Sequence, residues 1–210
     1  LAKIILIPLW LFENLEKVRR NALQRAMVLI NTENVTGNYV RNGKNSFEIY
    51  DVEDVEDSKY CYYGMKLKDT HDVNCIGWSE MVYDSISLGK INSIFFSSAI
   101  IECDNVSYSR CIWGSSNIFG SVSLKNQSEY VIFNKKYSKD EYQQLKTKII
   151  EHMKKTAEWG TFFPPHLSPF EYNRSMAIDY MPLSKEEALE KGFLWHNESV
   201  TESKNDPNFP

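Results

Sequence analysis

The middle of this 210-residue chain lacks proline, since all seven prolines lie outside residues 31–134. The same region contains one Asn-Gly pair, Asn42-Gly43, which is a strong short-range signal for a β-hairpin turn. Antiparallel sandwiches usually carry many such signals. The shortage of Asn-Gly pairs therefore disfavours a sandwich. That fold stays open as the alternative, because it too has short strands at intervals of about 8–12 residues.

Long apolar runs and an excess of positive charge are also missing. The chain has 24 Lys and Arg residues against 28 Asp and Glu, a net charge of −4, so we do not expect it to bind nucleic acid alone. The apolar stretch Ile4–Phe12 contains Pro8 and is too short to span a bilayer. No Ala-x-Ala cleavage site follows it. We expect a strand or loop packed on the domain, and no membrane partner.

Cysteine pairs with the spacing of a zinc site are lacking as well. None of the cysteines stands in a Cys-x-x-Cys pair, and the four histidines are scattered. Cysteine is also too rare for a disulfide-stapled secreted domain. We therefore expect reduced, buried thiols in a cytoplasmic protein, with no bound metal and no cofactor. The four cysteines are Cys61, Cys75, Cys103 and Cys111.

One short phrase recurs along the sequence. A polar residue precedes an apolar or small residue, and an aromatic or small residue follows two places further on, as in Asn105-Val106 and Asn117-Ile118. The polar residues recur about every 12 positions, with scatter. Such a period fits one turn plus one strand, because Asn and Asp favour turns and tolerate left-handed backbone. The phrase therefore indicates a corner followed by a strand.

Two of these units together have about 24 residues, a common size for one coil of a parallel β-helix. We therefore predict a mainly β fold, a right-handed parallel β-helix of about four coils with helical N- and C-terminal caps. The residues that follow the polar ones should point inward and stack on their counterparts in neighbouring coils. Those named by this prediction are Val35, Val73, Val106 and Ile118.

Four segments are predicted along the chain: residues 1–30 as an N-terminal strand and capping helix, 31–137 as the β-helix, 138–197 as C-terminal helices with a wrapping aromatic and proline-rich stretch, and 198–210 as a disordered tail. The N-terminal helix should span residues 12–27. Capping boxes at Ser138–Glu141 and Ser184–Glu187 predict two C-terminal helices, one spanning residues 138–156 and a short one ended by Gly192.

The sequence "DVEDVED", residues 51–57, is the most acidic stretch. Grouped carboxylates on a β-helix could act as an acid/base pair or bind calcium. In a straight strand, however, residues three apart point to opposite faces, and Asp51 would lie about 20 Å from Asp57. We therefore predict a solvated acidic segment without a catalytic role. Its carboxylates belong to Asp51, Glu53, Asp54, Glu56 and Asp57.

The remaining candidates for chemistry are weaker. Asp69 and Asp72 flank His71 and could support acid–base work, but no nucleophile stands beside them. Ser121 lacks the Gly-x-Ser-x-Gly context of a nucleophile elbow. Tryptophans could stack on sugars or bases, although core packing is the favoured role. These are Trp78, Trp113, Trp159 and Trp195. We assign no catalytic, cofactor or metal residue.

The stretches "NIFGSVSLKNQSEYVIFNKKYSKDEYQQLKTKIIEHM", "EWGTFFPPHLSPFEYN" and "PLSKEEALEKGFLW" resemble uncharacterised bacterial proteins of the candidate phyla radiation (Patescibacteria), which are often described as zinc-ribbon proteins. The resemblance implies that this chain, which begins with Leu1 rather than Met, is a fragment lying between two zinc ribbons. Where the relatives carry cysteine, this chain has Ile118, Ser121 and Val131. A metal ligand could not be exchanged for Ile or Val, so these are expected to be core positions.

Two functions remain open at this point. The first is a non-catalytic scaffold or binding module of a larger zinc-ribbon protein, which could meet protein or nucleic acid through its ribbons. The alternative is a carbohydrate-binding or carbohydrate-active β-helix. A groove lined by carboxylates and Trp would favour the carbohydrate hypothesis, whereas a convex surface with scattered charges would favour the scaffold.

Overall fold

A computed structural model describes residues 9–23 and 25–197 of the chain. The predicted N-terminal strand falls partly, and the predicted disordered tail wholly, outside these residues. The described part contains four α-helices: α1 (Leu9–Asn21), α2 (Lys139–Lys155), α3 (Ala177–Tyr180) and α4 (Lys185–Glu190). Its strands are β1 (Leu29–Glu56), β2 (Lys59–Ile76), β3 (Ser79–Leu88), β4 (Ile91–Phe95), β5 (Ser98–Ile101), β6 (Cys103–Ser107), β7 (Arg110–Trp113), β8 (Ser116–Phe119), β9 (Val122–Leu124), β10 (Glu129–Ile132) and β11 (Lys135–Lys136).

The strands form a β-solenoid in which the chain pairs in parallel with itself twelve residues further on. Ile49 pairs with Cys61, and Ile94 pairs with Val106. Most coils therefore contain twelve residues, and the last contains thirteen because Ile118 pairs with Val131. The solenoid has about seven turns. The expectation of a 24-residue coil, repeated about four times, is wrong. The parallel pairing also excludes the antiparallel sandwich for this region.

The coil is short because the backbone turns at every third residue. Burial recurs every three positions along β1, and the residue before each buried one has a positive φ. Asp51 has a φ of 57° before the buried Val52, and Asp54 has the same φ before the buried Val55. Each triplet thus consists of an inward residue, an outward residue and a left-handed corner residue. Four triplets close one coil.

The recurrent Asn in the sequence is explained by these corners. Asn105 has a φ of 52° and Asn117 a φ of 54°, and Asn is among the residues that tolerate this region best. The two side chains also form a ladder, since Nδ2 of Asn105 donates to Oδ1 of Asn117 over 2.6 Å. The predicted inward residues Val73, Val106 and Ile118 are buried, while Val35 is half-buried against the same core. This part of the sequence prediction is confirmed.

Each coil encloses four inward side chains, which stack in four rows along the solenoid axis. Two rows are aliphatic at the centre of the molecule, where Ile94, Ile100 and Ile112 are fully buried. The three positions that were expected to lie in the core, Ile118, Ser121 and Val131, are all buried. Packing of small and aliphatic groups between coils therefore supplies the hydrophobic core.

In the later coils, from Ser85 to Ser121, a third row consists of buried serines that bond to one another's backbone. The amide of Ser109 donates to Oγ of Ser97 over 3.1 Å, and the amide of Ser121 donates to Oγ of Ser109 over 3.0 Å. Each hydroxyl in turn donates to the carbonyl two residues before it, as Ser109 does to Ser107 over 2.8 Å. A buried hydroxyl is tolerated when it both accepts and donates a hydrogen bond. Ser121 is a member of this ladder, which accounts for its place in the sequence.

The last coil is covered by a reversal of the chain. Strand β11 pairs antiparallel with β10, so that Lys136 lies opposite Val131 and Lys135 opposite Ile132. Exposed lysines on a short edge strand discourage further strand pairing. This end of the solenoid is thus protected by a charged strand.

Helix α2 lies along the flank of the last coils. The predicted capping box is present, because Oγ of Ser138 accepts from the amide of Glu141, whose side chain accepts from the amide of Ser138. Tyr142 is fully buried in a cluster with Phe119 and Ile132 from the solenoid. The helix therefore buries its apolar side against a side of the solenoid. Other residues packed in this cluster are Leu145, Ile149, Met153 and Trp159.

The two ends of the chain differ in how they meet the solenoid. Helix α1 begins at Leu9 instead of residue 12, so residues 9–12 are helical rather than a strand or loop. Leu15 and Val18, which should have packed on the first coil, are 60% and 66% exposed. The expected N-terminal capping contact is therefore not made by these two side chains.

After α2 the first aromatic residues of the proline-rich segment contact the solenoid. The rings of Trp159 and Phe163 lie 5.7 and 6.1 Å from that of Tyr108. Further on, Tyr172 is buried, and the Trp195 ring stacks on it at 6.2 Å. Trp159 and Trp195 thus have the packing role expected for them. The second predicted capping box, Ser184 with Glu187, starts α4.

Candidate binding groove

A groove runs along one side of the first coils, where the C-terminal helices do not cover the solenoid. It has a volume of about 450 Å³. The inward residues Val40, Val52 and Gly64 line it between two rows of exposed side chains. Val52 pairs with Gly64 in the neighbouring coil. The groove therefore follows one row of paired residues across the first coils.

One rim of the groove is a row of corner residues: Tyr39, Asp51 and Tyr63. Their φ angles of 55°, 57° and 57° place them at the same point of three successive coils. Tyr39 is 64% exposed and Tyr63 is 48% exposed. Neighbouring strands are about 4.8 Å apart, so these two tyrosines are separated by about 9.6 Å along the axis. The row thus presents two rings with a carboxylate between them.

The opposite rim carries charge. It consists of Arg41, Glu53 and Met65, again from three successive coils. Nη1 of Arg41 lies 3.8 Å from Oε1 of Glu53, and both side chains are largely exposed. The ion pair crosses from one coil to the next and holds a guanidinium and a carboxylate at the groove's edge.

The acidic stretch is not arranged as the sequence prediction assumed. Asp51, Asp54 and Asp57 occupy three successive corners of one coil, with φ angles of 57°, 57° and 48°. The chain turns between them, so the assumption of a straight strand is wrong. Only Asp51 of the three lines the groove, while Asp54 accepts a hydrogen bond of 2.8 Å from Asn42. Within the described residues, no group of three or more His, Cys, Asp or Glu is placed to hold a metal ion.

A further carboxylate, Asp84, lies beside the second acidic group of Asp69 and Asp72. Asp72 and Asp84 lie at the same corner of successive coils, since their neighbours Val73 and Ser85 are paired. Burial raises the pKa of Asp84, and the nearby carboxylate of Asp72 raises it further. His71 pairs with Tyr83 on the adjoining outward row. Alignment at the twelve-residue period would have shown the Asp72–Asp84 juxtaposition.

Two tryptophans depart from the expected packing role. Trp78 is 46% exposed, and the Nζ atoms of Lys66 and Lys90 lie 4.5 and 4.6 Å from its ring centroid. Trp113 is also exposed, with Nζ of Lys125 at 3.9 Å. Such contacts are cation–π interactions. Both rings are therefore surface features of the solenoid rather than core residues.

The cysteines that the structure describes serve as small inward or corner residues. Cys61 and Cys103 are buried thiols in different rows, and each Sγ donates to the carbonyl two residues earlier. Burial raises the pKa of the Cys103 thiol. Cys111 is half-buried at a corner with a φ of 56°. The side chain of Cys75 lies outside the described part.

Sequence reasoning missed most of the groove. Tyr39, Arg41, Gly64 and Met65 belong to no motif, and they come together only because residues twelve apart are stacked. Writing the sequence in rows of twelve would have aligned Tyr39 with Asp51 and Tyr63. That arrangement becomes meaningful only when one row equals one coil.

Together these observations define a class of protein: a parallel β-solenoid with twelve-residue coils, flanking helices and an open side groove. Comparison with protein-family models, curated proteins and solved structures gives no match. Among the described residues, no helix is both long enough and apolar enough to cross a bilayer.

Proposed function

We propose that this chain is a non-catalytic binding module, a right-handed β-solenoid that holds an extended carbohydrate chain in its side groove. The observation that carries the proposal is the row Tyr39–Asp51–Tyr63, which faces the Arg41–Glu53 ion pair across the groove. Sugars present apolar ring faces and hydroxyl edges. Exposed tyrosine rings suit the faces, and charged groups hydrogen-bond strongly to the edges.

The shape of the groove supports a chain-like ligand. Its lining residues come from successive coils, beginning at Val28 and reaching Gly77, so the groove follows the solenoid axis. The spacing of about 9.6 Å between Tyr39 and Tyr63 is close to the length of two β-1,4-linked sugars. Two stacked rings would therefore meet every second sugar of the ligand.

The charges of the groove support binding rather than hydrolysis. A glycosidase needs a carboxylic acid that stays protonated until it donates to the leaving group. Glu53, the other carboxylate that lines the groove, already forms an ion pair with Arg41, with 3.8 Å between Oε1 and Nη1. Asp54 and Asp57 turn to other corners of the coil. Asp51 thus has no partner suited to act as general acid at this rim.

Two tyrosines of the same coil test the proposal, because only one of them lines the groove. Tyr63 lines the groove, whereas Tyr60 stands at another corner of that coil with a similar φ of 54° and is 60% exposed. Titration calorimetry with cellohexaose, xylohexaose and chitohexaose should show binding of at least one of them. Tyr63→Ala should weaken that binding roughly tenfold, about 1.4 kcal/mol, and Tyr60→Ala should leave it within about twofold.

Three results would count against this proposal. Failure of all three oligosaccharides to bind the folded chain contradicts a carbohydrate ligand of this type. Equal losses in the two tyrosine variants place the binding site outside the groove. Release of shorter sugars during prolonged incubation, abolished by Glu53→Gln, shows that the module is catalytic.

A second candidate rests on the resemblance to zinc-ribbon proteins of the candidate phyla radiation. We propose from it that the chain is a cytoplasmic segment between two ribbons and a scaffold for a protein or nucleic-acid partner. Burial of Ile118, Ser121 and Val131, which replace cysteines of those proteins, supports the shared core that this requires. The thiol of Cys103, which is buried and reduced, is compatible with a reducing compartment.

A further inference from the structure

Two neighbouring rows of exposed residues form one strip of surface along the first coils. The first row is the rim of the groove that contains Tyr39, Asp51 and Tyr63. The second row lies one position earlier in successive coils and consists of Tyr50, Tyr62, Asn74 and Ile86. All residues of the second row are exposed, Tyr50 to 41% and Tyr62 to 57%. These two rows, named the tyrosine strip, continue the aromatic rim of the groove outward from its edge.

The tyrosine strip is almost free of charge when every coil along it is counted. Between residues 38 and 87 its one charged residue is Asp51. Each of the other three strips, which likewise lie between two rows of inward residues, carries at least four charged residues over the same coils. These are Glu48, Lys59, Asp72 and Asp84 in one strip, Arg41, Glu53, Asp54, Lys66 and Lys90 in the second, and Lys44, Glu56, Asp57, Lys68, Asp69 and Glu80 in the third. The tyrosine strip is therefore the least charged side of the first five coils.

The borders of the strip are occupied by groups that already have partners. At one border the hydroxyl of Tyr50 donates to Oε2 of Glu48 over 2.8 Å. At the other border Arg41 forms its ion pair with Glu53. Helix α2 and the segment after it pack on a different strip, around Tyr108. The described helices thus leave the tyrosine strip open to a ligand.

We propose that the tyrosine strip binds the surface of a packed, uncharged β-1,4-linked polysaccharide, in which many chains lie side by side. This inference rests on the carbohydrate binding proposed above, and it adds the form of the ligand: an insoluble surface rather than one isolated chain. Tyrosine rings pack on sugar rings, while tyrosine hydroxyls and the Asn74 amide can hydrogen-bond to sugar hydroxyls. An uncharged surface suits a neutral ligand, because few charges lose their hydration when the two meet.

The regular spacing of the strip favours a polysaccharide over a protein partner. Strand pairing places Tyr50 and Tyr62 about 4.8 Å apart along the axis, and Tyr39 and Tyr63 about 9.6 Å apart. A polysaccharide has the same kind of repeat, so it can make equivalent contacts at successive coils. A folded protein surface has no such period. The paired backbone also holds the rings in place before binding, which lowers the entropy cost of association.

The experiment measures how much of the full chain is removed from solution by suspended microcrystalline cellulose and by chitin particles. At least one of the two should bind it, whereas granular starch, whose chains are helical, should not. Tyr62→Ala should lower the partition coefficient at least fivefold, and Tyr62→Phe should keep most of the binding because the ring remains. The matched control is Tyr60→Ala, since Tyr60 belongs to the same coil, is 60% exposed and lies in a charged strip. It should change the partition coefficient less than twofold.

Soluble hexasaccharides separate the strip from the groove. Tyr62 does not line the groove, so Tyr62→Ala should leave hexasaccharide affinity within about twofold in calorimetry. If hexasaccharides bind while neither cellulose nor chitin removes the chain from solution, the strip proposal is overturned and the groove proposal stands. If neither the soluble nor the insoluble sugars bind, both are overturned.

Three further results would also overturn the strip proposal. Equal losses in Tyr62→Ala and Tyr60→Ala would mean that adsorption does not depend on the strip. Equal binding to granular starch would show that a packed surface of extended chains is not what the chain recognises. A dimer in sedimentation velocity that Tyr62→Ala abolishes would make the strip a contact between two copies of this chain.

Discussion

Ile94→Ala should lower the free energy of unfolding by about 2–5 kcal/mol, the range found when a fully buried aliphatic side chain is truncated. Ile94 is fully buried and stacks between Val82 of one neighbouring coil and Val106 of the other. Both neighbours are held by backbone pairing, so they cannot move far to fill the cavity. Urea denaturation, followed by circular dichroism, measures the change.

The matched control is another isoleucine of the same solenoid. Ile86 also lies in a paired strand, but it points outward and is 58% exposed. Ile86→Ala should therefore change the free energy of unfolding by no more than about 0.5 kcal/mol. Similar losses in the two variants would mean that inward and outward positions have been assigned incorrectly.

Ser109→Ala should lower the free energy of unfolding by about 1–3 kcal/mol. The hydroxyl accepts from the amide of Ser121 and donates to the carbonyl of Ser107. Alanine fits the space, but it leaves the Ser121 amide without its partner in the interior. The same denaturation experiment measures this loss.

Ser98→Ala provides the comparison for the serine ladder. Ser98 is a half-buried outward residue whose hydroxyl makes no hydrogen bond within the described part of the chain. Its replacement should be nearly neutral. If Ser109→Ala were also neutral, the interior serines would be fillers of small volume, and the hydrogen-bonded ladder would contribute nothing to stability.

Local features of the fold could be predicted because they depend on neighbouring residues. The corner role of Asn105 and Asn117, the inward position of Val106 and the capping box at Ser138 all follow from side-chain chemistry over a few residues. The length of the coil could not be predicted from neighbouring residues. A period of 12 residues is compatible with one coil or with half of a longer one, and only strand pairing distinguishes them.

The triplet pattern was hidden because the residues at each position are chemically mixed. Inward positions include Ser97 and Gly64 as well as aliphatic residues, so burial every third residue leaves a weak hydropathy signal. Corners with positive φ include Tyr60, Met81 and Phe96, which rarely adopt this conformation elsewhere. Pairing between coils imposes the left-handed backbone at these residues, and their own preference does not.

The candidate site was hidden for the same reason. Its two tyrosines are 24 positions apart in sequence, and neither belongs to a motif. The acidic stretch attracted attention because its residues are adjacent, yet the corners direct Asp51 and Asp57 to different sides of the coil. Function on a solenoid is organised along rows that cross the coils, so the coil length must be known first.

Every third residue of the solenoid points inward, and an aspartate scan of one uncovered coil, residues 59–70, distinguishes this arrangement from ordinary strands. Burying a carboxylate is costly, whereas the outward and corner residues of this coil are exposed. The free energy of unfolding should fall sharply at the buried Cys61, Leu67 and Thr70, and should change little at the exposed positions. Losses that alternate at every second residue would show ordinary strands and contradict the account.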